Sequence, residues 1–306
     1  MKKFKLRPFR RRKRTQIWYY NNGKLEEEKI CPERWMRLIY ENPVGGASLL
    51  WLVKRKALSR LYGLYCRTPL SARGISKFIK KYHVDMTGCK GKYKNFAQFF
   101  SRERQGISFP KEKNILGVPC EGLVSAFDNI QSDKLIQAKG MEFSMRDLFG
   151  DESLAKEFDG GTMVRIRLTP ANYHRMHFFD NGTVKKETKL KGDLYSVSPL
   201  ALNKIIELYC RNKRAVIEFD TEHFGKAVMV EVGATFVGSI VHCFKPGEQV
   251  DRGQLASYFK PGGSLVLVFF KKGMIELQQD IIEKSSEGFE IKMPIGEPLG
   301  QIKGIV

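Results

Sequence analysis

A chain of 306 residues with 42% hydrophobic content can bury a substantial core, which excludes a wholly disordered protein. Its formal charge of +20 is concentrated in residues 2–14, where basic side chains have no acidic neighbour, and this predicts a solvated arm or a polyanionic partner, either nucleic acid or an anionic membrane. The six cysteines lack CxxC spacing, so neither a zinc site nor a disulfide framework is indicated.

The first hundred residues predict helices. Apolar side chains recur at steps of three or four at Leu50, Val53, Ala57, Leu61 and Leu64. Basic residues 54–56 and 60 fall largely elsewhere on the helical wheel, which describes a basic amphipathic helix. Such a helix packs its apolar face on the protein or lies in a membrane interface. Residues 71–86 and 93–103 are also predicted to be helical, and the longest early apolar run is far too short to span a bilayer.

From about Gly117 onward the pattern changes to short strand-like runs separated by Gly, Pro and Asn-Gly. Strands are predicted at 122–128, 162–168, 215–221, 226–241, 264–270 and 288–300, and helices at 144–150 and 198–210. We therefore expect an α+β fold in which an N-terminal helical region, residues 1–106, precedes a β-rich catalytic domain, residues 107–306.

Three segments carry reactive side chains. Ser264 follows two glycines at the start of a buried strand in "FKPGGSLVLV", where it is either an ordinary turn residue or a nucleophile that attacks its own backbone. His174 and His177 lie in "YHRMH" and are either structural or reactive; no third ligand nearby indicates a metal site. Glu121, with Asp128 as the alternative acid, completes a nucleophile, base and acid set with His177 and Ser264. Spacing alone does not show that they meet.

The segments "LTPANYHRMHFFDNG", "KGDLYSVSPLAL", "AVMVEVGATFVGSI" and "YFKPGGSLVLVFF" follow one another in an order that resembles the phosphatidylserine decarboxylases across roughly residues 115–300. The resemblance implies a carboxy-lyase made as a proenzyme that cleaves itself between Gly263 and Ser264. The products are a β chain, residues 1–263, and an α chain, residues 264–306. Ser264 becomes a pyruvoyl cofactor, which forms a Schiff base with phosphatidylserine, and phosphatidylethanolamine and CO₂ are released.

The resemblance also implies roles for the histidines. His177, oriented by Glu121, is expected to take the Ser264 proton, and His174 to donate a proton or position substrate during decarboxylation. The sequence departs from the family pattern at three positions: Glu121 replaces an Asp, Leu265 a Thr and Ala256 a Gly.

The helical segments "KRKALSRLYGLY" and "FAQFFSRE" resemble the membrane-associated part of the same family. We expect a peripheral membrane protein on the cytoplasmic face of a bacterial-type inner membrane, with phosphatidylserine and an anionic surface as partners and without nucleic acid or metal. The oligomeric state is open. Two alternatives are a pyruvoyl-dependent decarboxylase of a soluble amino acid and an unprocessed basic module that binds anionic membrane.

Overall fold

The computed structural model describes residues 16–30, 33–41, 56–138, 141–235 and 240–304, which form a mixed fold of helices and sheets with a β-rich core. The strands are β1 (Trp18–Asn21), β2 (Lys24–Glu27), β3 (Ile115–Gly117), β4 (Gly122–Phe127), β5 (Leu135–Ala138), β6 (Met141–Phe143), β7 (Thr162–Leu168), β8 (Arg175–His177), β9 (Gly182–Leu190), β10 (Arg214–Thr221), β11 (Lys226–Gly233), β12 (Ile240–His242), β13 (Gln249–Val250), β14 (Leu255–Phe259), β15 (Ser264–Phe270), β16 (Ile275–Leu277), β17 (Glu290–Met293) and β18 (Pro298–Ile302).

The helices are α1 (Glu33–Glu41), α2 (Lys56–Cys66), α3 (Ile75–Tyr82), α4 (Phe96–Phe100), α5 (Met145–Phe149), α6 (Glu152–Glu157), α7 (Pro199–Leu202), α8 (Leu208–Arg211) and α9 (Gln279–Ser286), with a 3-10 helix at Pro69–Gly74. The expected mixture of helices and sheets with a β-rich core is confirmed. The helix predicted at 198–210 is instead two short ones, α7 and α8, and α6 and α9 were not predicted.

A large central sheet has the strand order β13-β9-β10-β11-β15-β7-β4-β17-β1-β2. Strand β15 lies in its middle and is buried on both faces, which explains its unbroken apolar sequence. Odd-numbered β15 side chains pack in one hydrophobic core and even-numbered ones in the other. Ser264 begins β15, opposite Leu168 of β7 and Gly233 of β11, so the predicted reactive residue lies at the end of a rigid central strand.

Residues 18–27 form a hairpin that extends this sheet, because β1 pairs with β17. Asn22 and Gly23 join its strands, both with positive φ, as a tight two-residue hairpin turn requires. Arg167, on β7, makes charged hydrogen bonds to Glu28, next to the hairpin, and to Glu290 on β17. The described part of the N-terminal region therefore shares a sheet with the core, and the boundary at 106/107 stays a prediction.

Residues 56–100 form a helical layer over one end of the sheet. Phe99 is buried in a small cluster with Ile75 and Val84, and Ala171, from the loop after β7, packs against it. The predicted amphipathic helix is helical over Lys56–Cys66; Leu50 and Val53 lie outside the described residues. Within the described part of the chain, no helix is long and apolar enough to cross a membrane.

Candidate active site

Ser264 is completely buried, and the two glycines before it shape the turn that leads into β15. The positive φ of this turn, 145°, lies at Gly262. A Cβ on Gly263 would make only an ordinary contact, 3.5 Å from Val197 Cγ2. Gly262 is therefore the position where the turn itself requires glycine.

His174 contacts Ser264 directly. Its Nδ1 lies 2.9 Å from Ser264 Oγ, and its Nε2 lies 2.9 Å from the carbonyl oxygen of Thr169. Because a carbonyl oxygen only accepts, Nε2 carries the hydrogen, which leaves the Nδ1 lone pair to accept the Ser264 hydroxyl. Burial lowers the pKa of His174 to about 3, so the imidazole is neutral at ordinary pH. The ring of Phe100 stacks on it with centroids 4.0 Å apart.

His177, expected as the base for Ser264, has different partners. Its Nδ1 donates to the carbonyl oxygen of Gly253 at 2.7 Å, and its Nε2 lies 3.3 Å from Tyr173 Oη. Burial lowers the pKa of His177 as well. The physical reason is strand geometry: side chains three residues apart in extended backbone point to opposite faces, so only one member of the HxxH pair can face Ser264. In this structure that member is His174.

Glu121 is buried near the same loop. Its Oε1 accepts from Asn172 Nδ2 and its Oε2 from Arg104 Nη1, both at 2.8 Å. Among the described residues no hydrogen bond joins Glu121 to His177, so the expected triad is not assembled through that contact. Asn172, Thr169 and Arg104 were not singled out from the sequence, since only the fold brings them together.

Asp128, the alternative acid, lies at the far end of the strands. Its carboxylate accepts from Thr162 Oγ1 at 2.8 Å. Thr162 pairs with Phe270, whereas Ser264 pairs with Leu168. Six residues of strand therefore separate the two positions, roughly 20 Å at the usual rise. This distance removes Asp128 as a partner of either active-site histidine.

A cavity of about 110 Å³ lies beside the Gly262–Gly263 turn. Its lining is mostly apolar and aromatic and comes from both the helical layer and the core: Ile30, Met36, Tyr62, Phe78, Phe96, Phe100, Leu168 and Val197. Ser196, Ser198 and Thr235 contribute polar groups. A small ligand in this cavity would lie beside the Gly262–Gly263 turn.

Within the described residues, no three His, Cys, Asp or Glu side chains form a metal cluster, and the cysteines found there are free. His223 bonds to Asp180, and His242 lies between Glu187 and Glu231. These two histidines have structural partners.

A buried serine that is hydrogen-bonded to a buried histidine and follows a glycine turn has the arrangement that a serine nucleophile needs. The chain belongs to the phosphatidylserine decarboxylase family, whose family model matches residues 93–301. A phosphatidylserine decarboxylase proenzyme from Ruminiclostridium cellulolyticum is 41% identical over 290 residues, 93% of this chain and 97% of the relative. Proenzymes of the same name from Clostridium perfringens strain SM101 (41% over 278 residues; 89% and 95%) and Clostridium botulinum strain Kyoto (40% over 294 residues; 94% and 100%) are similar.

Proposed function

We propose that the protein is a carboxy-lyase that converts phosphatidylserine to phosphatidylethanolamine and CO₂ with a pyruvoyl group made from its own Ser264. Family membership and the names of the relatives support the reaction. The observation that carries the residue assignment is the hydrogen bond of Ser264 Oγ to His174 Nδ1, next to the Gly263 carbonyl.

Self-cleavage follows from these atoms. His174 Nδ1 takes the Ser264 proton while Oγ bonds to the Gly263 carbonyl carbon, and the Gly263–Ser264 C–N bond breaks to leave an ester and a free amine. Loss of the Ser264 α-proton expels the Gly263 carboxylate. The remaining enamine becomes an imine, and water hydrolyses it to the ketone and ammonia. Removal of the Ser264 hydroxyl proton needs a neutral base, and burial keeps His174 in that form; the proton that it gains then passes to the departing Ser264 amine.

This proposal exchanges the histidine roles expected from the sequence. His174 is the base for Ser264, and because it stays beside residue 264, it is also the group we assign to proton handling in decarboxylation. His177 holds the Gly253 carbonyl, which orients the loop before β14. A ketone at residue 264 would supply an electron sink for the bond to the departing carboxylate.

The two chains produced by cleavage are expected to stay together. The α chain begins with β15, which is paired on one side with β11 and on the other with β7, both from the β chain. After cleavage, β15 of the α chain would still be hydrogen-bonded to β7 and β11 of the β chain, and its side chains would still pack in both hydrophobic cores. Separating the two chains would therefore unfold the central sheet.

A histidine comparison tests the assignment. His174→Gln should slow formation of the 43-residue fragment, residues 264–306, by about 10²–10⁴-fold, the usual contribution of a general base. His177→Gln should retain most of the cleavage. Freshly synthesised protein followed by denaturing electrophoresis gives both rates, and the reverse order would contradict the assignment.

We further infer that α2 and the following 3-10 helix dock on an anionic membrane. Leu61 and Leu64 on α2 and Leu70 after it are exposed by 64%, 59% and 54%. Arg60 and Arg67 are exposed beside them. Tyr62 of the same helix lines the active-site cavity, so a membrane on this face would lie next to the site. Apolar side chains ringed by cations match an anionic lipid interface. The cysteines among the described residues are free, which suits the cytoplasmic face.

Sedimentation with phosphatidylglycerol vesicles tests this surface. The double variant Leu61→Glu, Leu64→Glu should weaken binding at least about tenfold, because two exposed leucines that would enter the lipid interface are replaced by charges, while self-cleavage continues. Leu25→Glu, at an exposed leucine on β2, is the matched control and should bind normally. Equal sedimentation of all three proteins would exclude docking through α2.

A further inference from the structure

His242, on β12, is buried between two carboxylates of the central sheet. Its Nε2 lies 2.7 Å from Glu231 Oε2 on β11, and its Nδ1 lies 2.6 Å from Glu187 Oε1 on β9. The side chains of Glu231, His242 and Glu187 are exposed by only 0%, 7% and 14%, so water screens these charges poorly. Glu231 is opposite Val266, two positions after Ser264, so its side chain lies on the Ser264 face of the sheet.

Two carboxylates on one imidazole require an extra proton. A neutral imidazole has a single N–H, so its second nitrogen would turn a lone pair toward the other carboxylate. Burial by itself lowers the pKa of His242, but the hydrogen bond and charge of Glu231 and the charge of Glu187 outweigh it and raise that pKa. The folded protein therefore keeps a proton on His242 above pH 6.5, where the unfolded chain releases it.

The cluster is connected to the active site through β14. Ser257, on β14, donates from its hydroxyl to Glu231 Oε1, and β14 pairs with both β12 and β8. The backbone N–H of Phe259, which ends β14, donates to the carbonyl oxygen of His174 at 3.0 Å. Only residues 260–263 separate the end of β14 from β15. The position of β14 therefore affects both the histidine segment and the turn before the reactive serine.

We propose that Glu187, His242 and Glu231 form a proton-dependent clamp that fixes β14, and the turn that follows it, on the central sheet. While His242 is charged, it holds both carboxylates, and Glu231 in turn holds Ser257. When His242 loses its proton at alkaline pH, one carboxylate faces a lone pair and the clamp weakens. Self-cleavage should then slow, because the turn is less firmly held. This consequence rests on the proposed self-cleavage at Ser264 and is the same whichever histidine takes the serine proton.

Four further titratable or charged side chains lie near the clamp: Lys189, Cys120, Cys243 and Arg175. The Lys189 ammonium lies 3.0 Å from Glu187 Oε1 and is 65% exposed, so water screens its charge. Burial raises the pKa of both thiols, so neither is charged at neutral pH. The Arg175 guanidinium donates to the carbonyl oxygen of Ser101. His242 is therefore the side chain at the clamp whose charge changes between neutral and mildly alkaline pH.

The protonation state of His242 can be measured directly. In the uncleavable Ser264→Ala protein with isotope-labelled histidine, NMR detects the ring nitrogens of the five histidines, and the added substitution His242→Gln identifies the signals of His242. Both of its ring nitrogens should carry hydrogens at pH 7.5, well above the usual histidine pKa of about 6.5. A neutral ring at that pH would overturn the clamp.

The variant Glu187→Gln removes the need for the extra proton. Its amide can donate to His242 Nδ1 while Nε2 still donates to Glu231, so a neutral imidazole satisfies the site. Glu218→Gln, on β10, is the matched control, because the Glu218 side chain is similarly buried, with 16% exposure, and pairs with lysines. In the Ser264→Ala background, the equilibrium constant for unfolding should rise between pH 7 and 8.5 at least about threefold more in the control than in Glu187→Gln.

Self-cleavage of freshly synthesised protein tests the consequence for the active site. The ratio of the Glu187→Gln rate to the Glu218→Gln rate should rise at least about threefold between pH 7 and 8.5, because only the control loses its clamp. A constant ratio overturns the link between the clamp and the turn, and an equal pH dependence of unfolding overturns the clamp itself. If every chain, wild type included, stays uncleaved, the proposed self-cleavage fails instead, and the NMR and unfolding results in Ser264→Ala still decide the clamp.

Discussion

The buried, neutral state of His174 predicts a specific loss of stability in acid. An unfolded histidine binds a proton below pH 6.5, whereas the folded one stays neutral down to about 3. Between these values the unfolded state takes up more protons, so the free energy of unfolding falls as pH falls. From pH 7 to 5 the contribution of His174 is a loss of about 2 kcal/mol, because 1.36 kcal/mol corresponds to one pH unit.

Urea unfolding at pH 7 and pH 5 measures this contribution. Ser264→Ala provides an uncleavable background, and the double variant Ser264→Ala, His174→Gln removes the titrating group. Contributions from His177 and the other histidines are common to both proteins and cancel in the comparison. The background protein should lose about 2 kcal/mol more between the two pH values than the double variant. An equal pH dependence would refute the neutral, desolvated state of His174.

The remaining predictions concern residues that support the site, and each variant is made in the uncleavable Ser264→Ala protein. Arg167→Met should lower the free energy of unfolding by about 3–5 kcal/mol, because Glu28 and Glu290 would remain buried without their cation; a loss below about 1 kcal/mol in urea titration would contradict this. Gly262→Ala should cost about 1–3 kcal/mol of backbone strain, whereas Gly263→Ala should cost clearly less; calorimetric melting ranks the two, and the opposite order would contradict the assigned turn.

The sequence predicted the strand that carries Ser264 because β15 is buried on both faces and its apolar run is therefore unbroken. The N-terminal hairpin was missed even though Asn22-Gly23, between two short strand-like runs, is a strong hairpin signal. The strongly basic residues before it favour a solvated arm, and that pattern gives no indication of a sheet edge.

The choice between two histidines three residues apart could not be made from the sequence. Their spacing indicates that they face opposite sides, but which side holds Ser264 depends on the pairing of β8 with β14 and on the position of β15. The role of Asn172 could not be predicted from the sequence for a related reason. Its partner Glu121 lies 51 positions earlier in the chain, and Arg104, which donates to Glu121, lies 68 positions earlier, so only the fold brings the three together.

The most direct test of the central claim is the intact mass of the small fragment from freshly purified wild-type protein. The account predicts a chain of residues 264–306 without a free α-amine, lighter by one ammonia than the same chain beginning with serine. Its appearance should parallel the release of CO₂ from phosphatidylserine. A persistent full-length polypeptide, or a fragment that starts with an unmodified serine, would contradict the account.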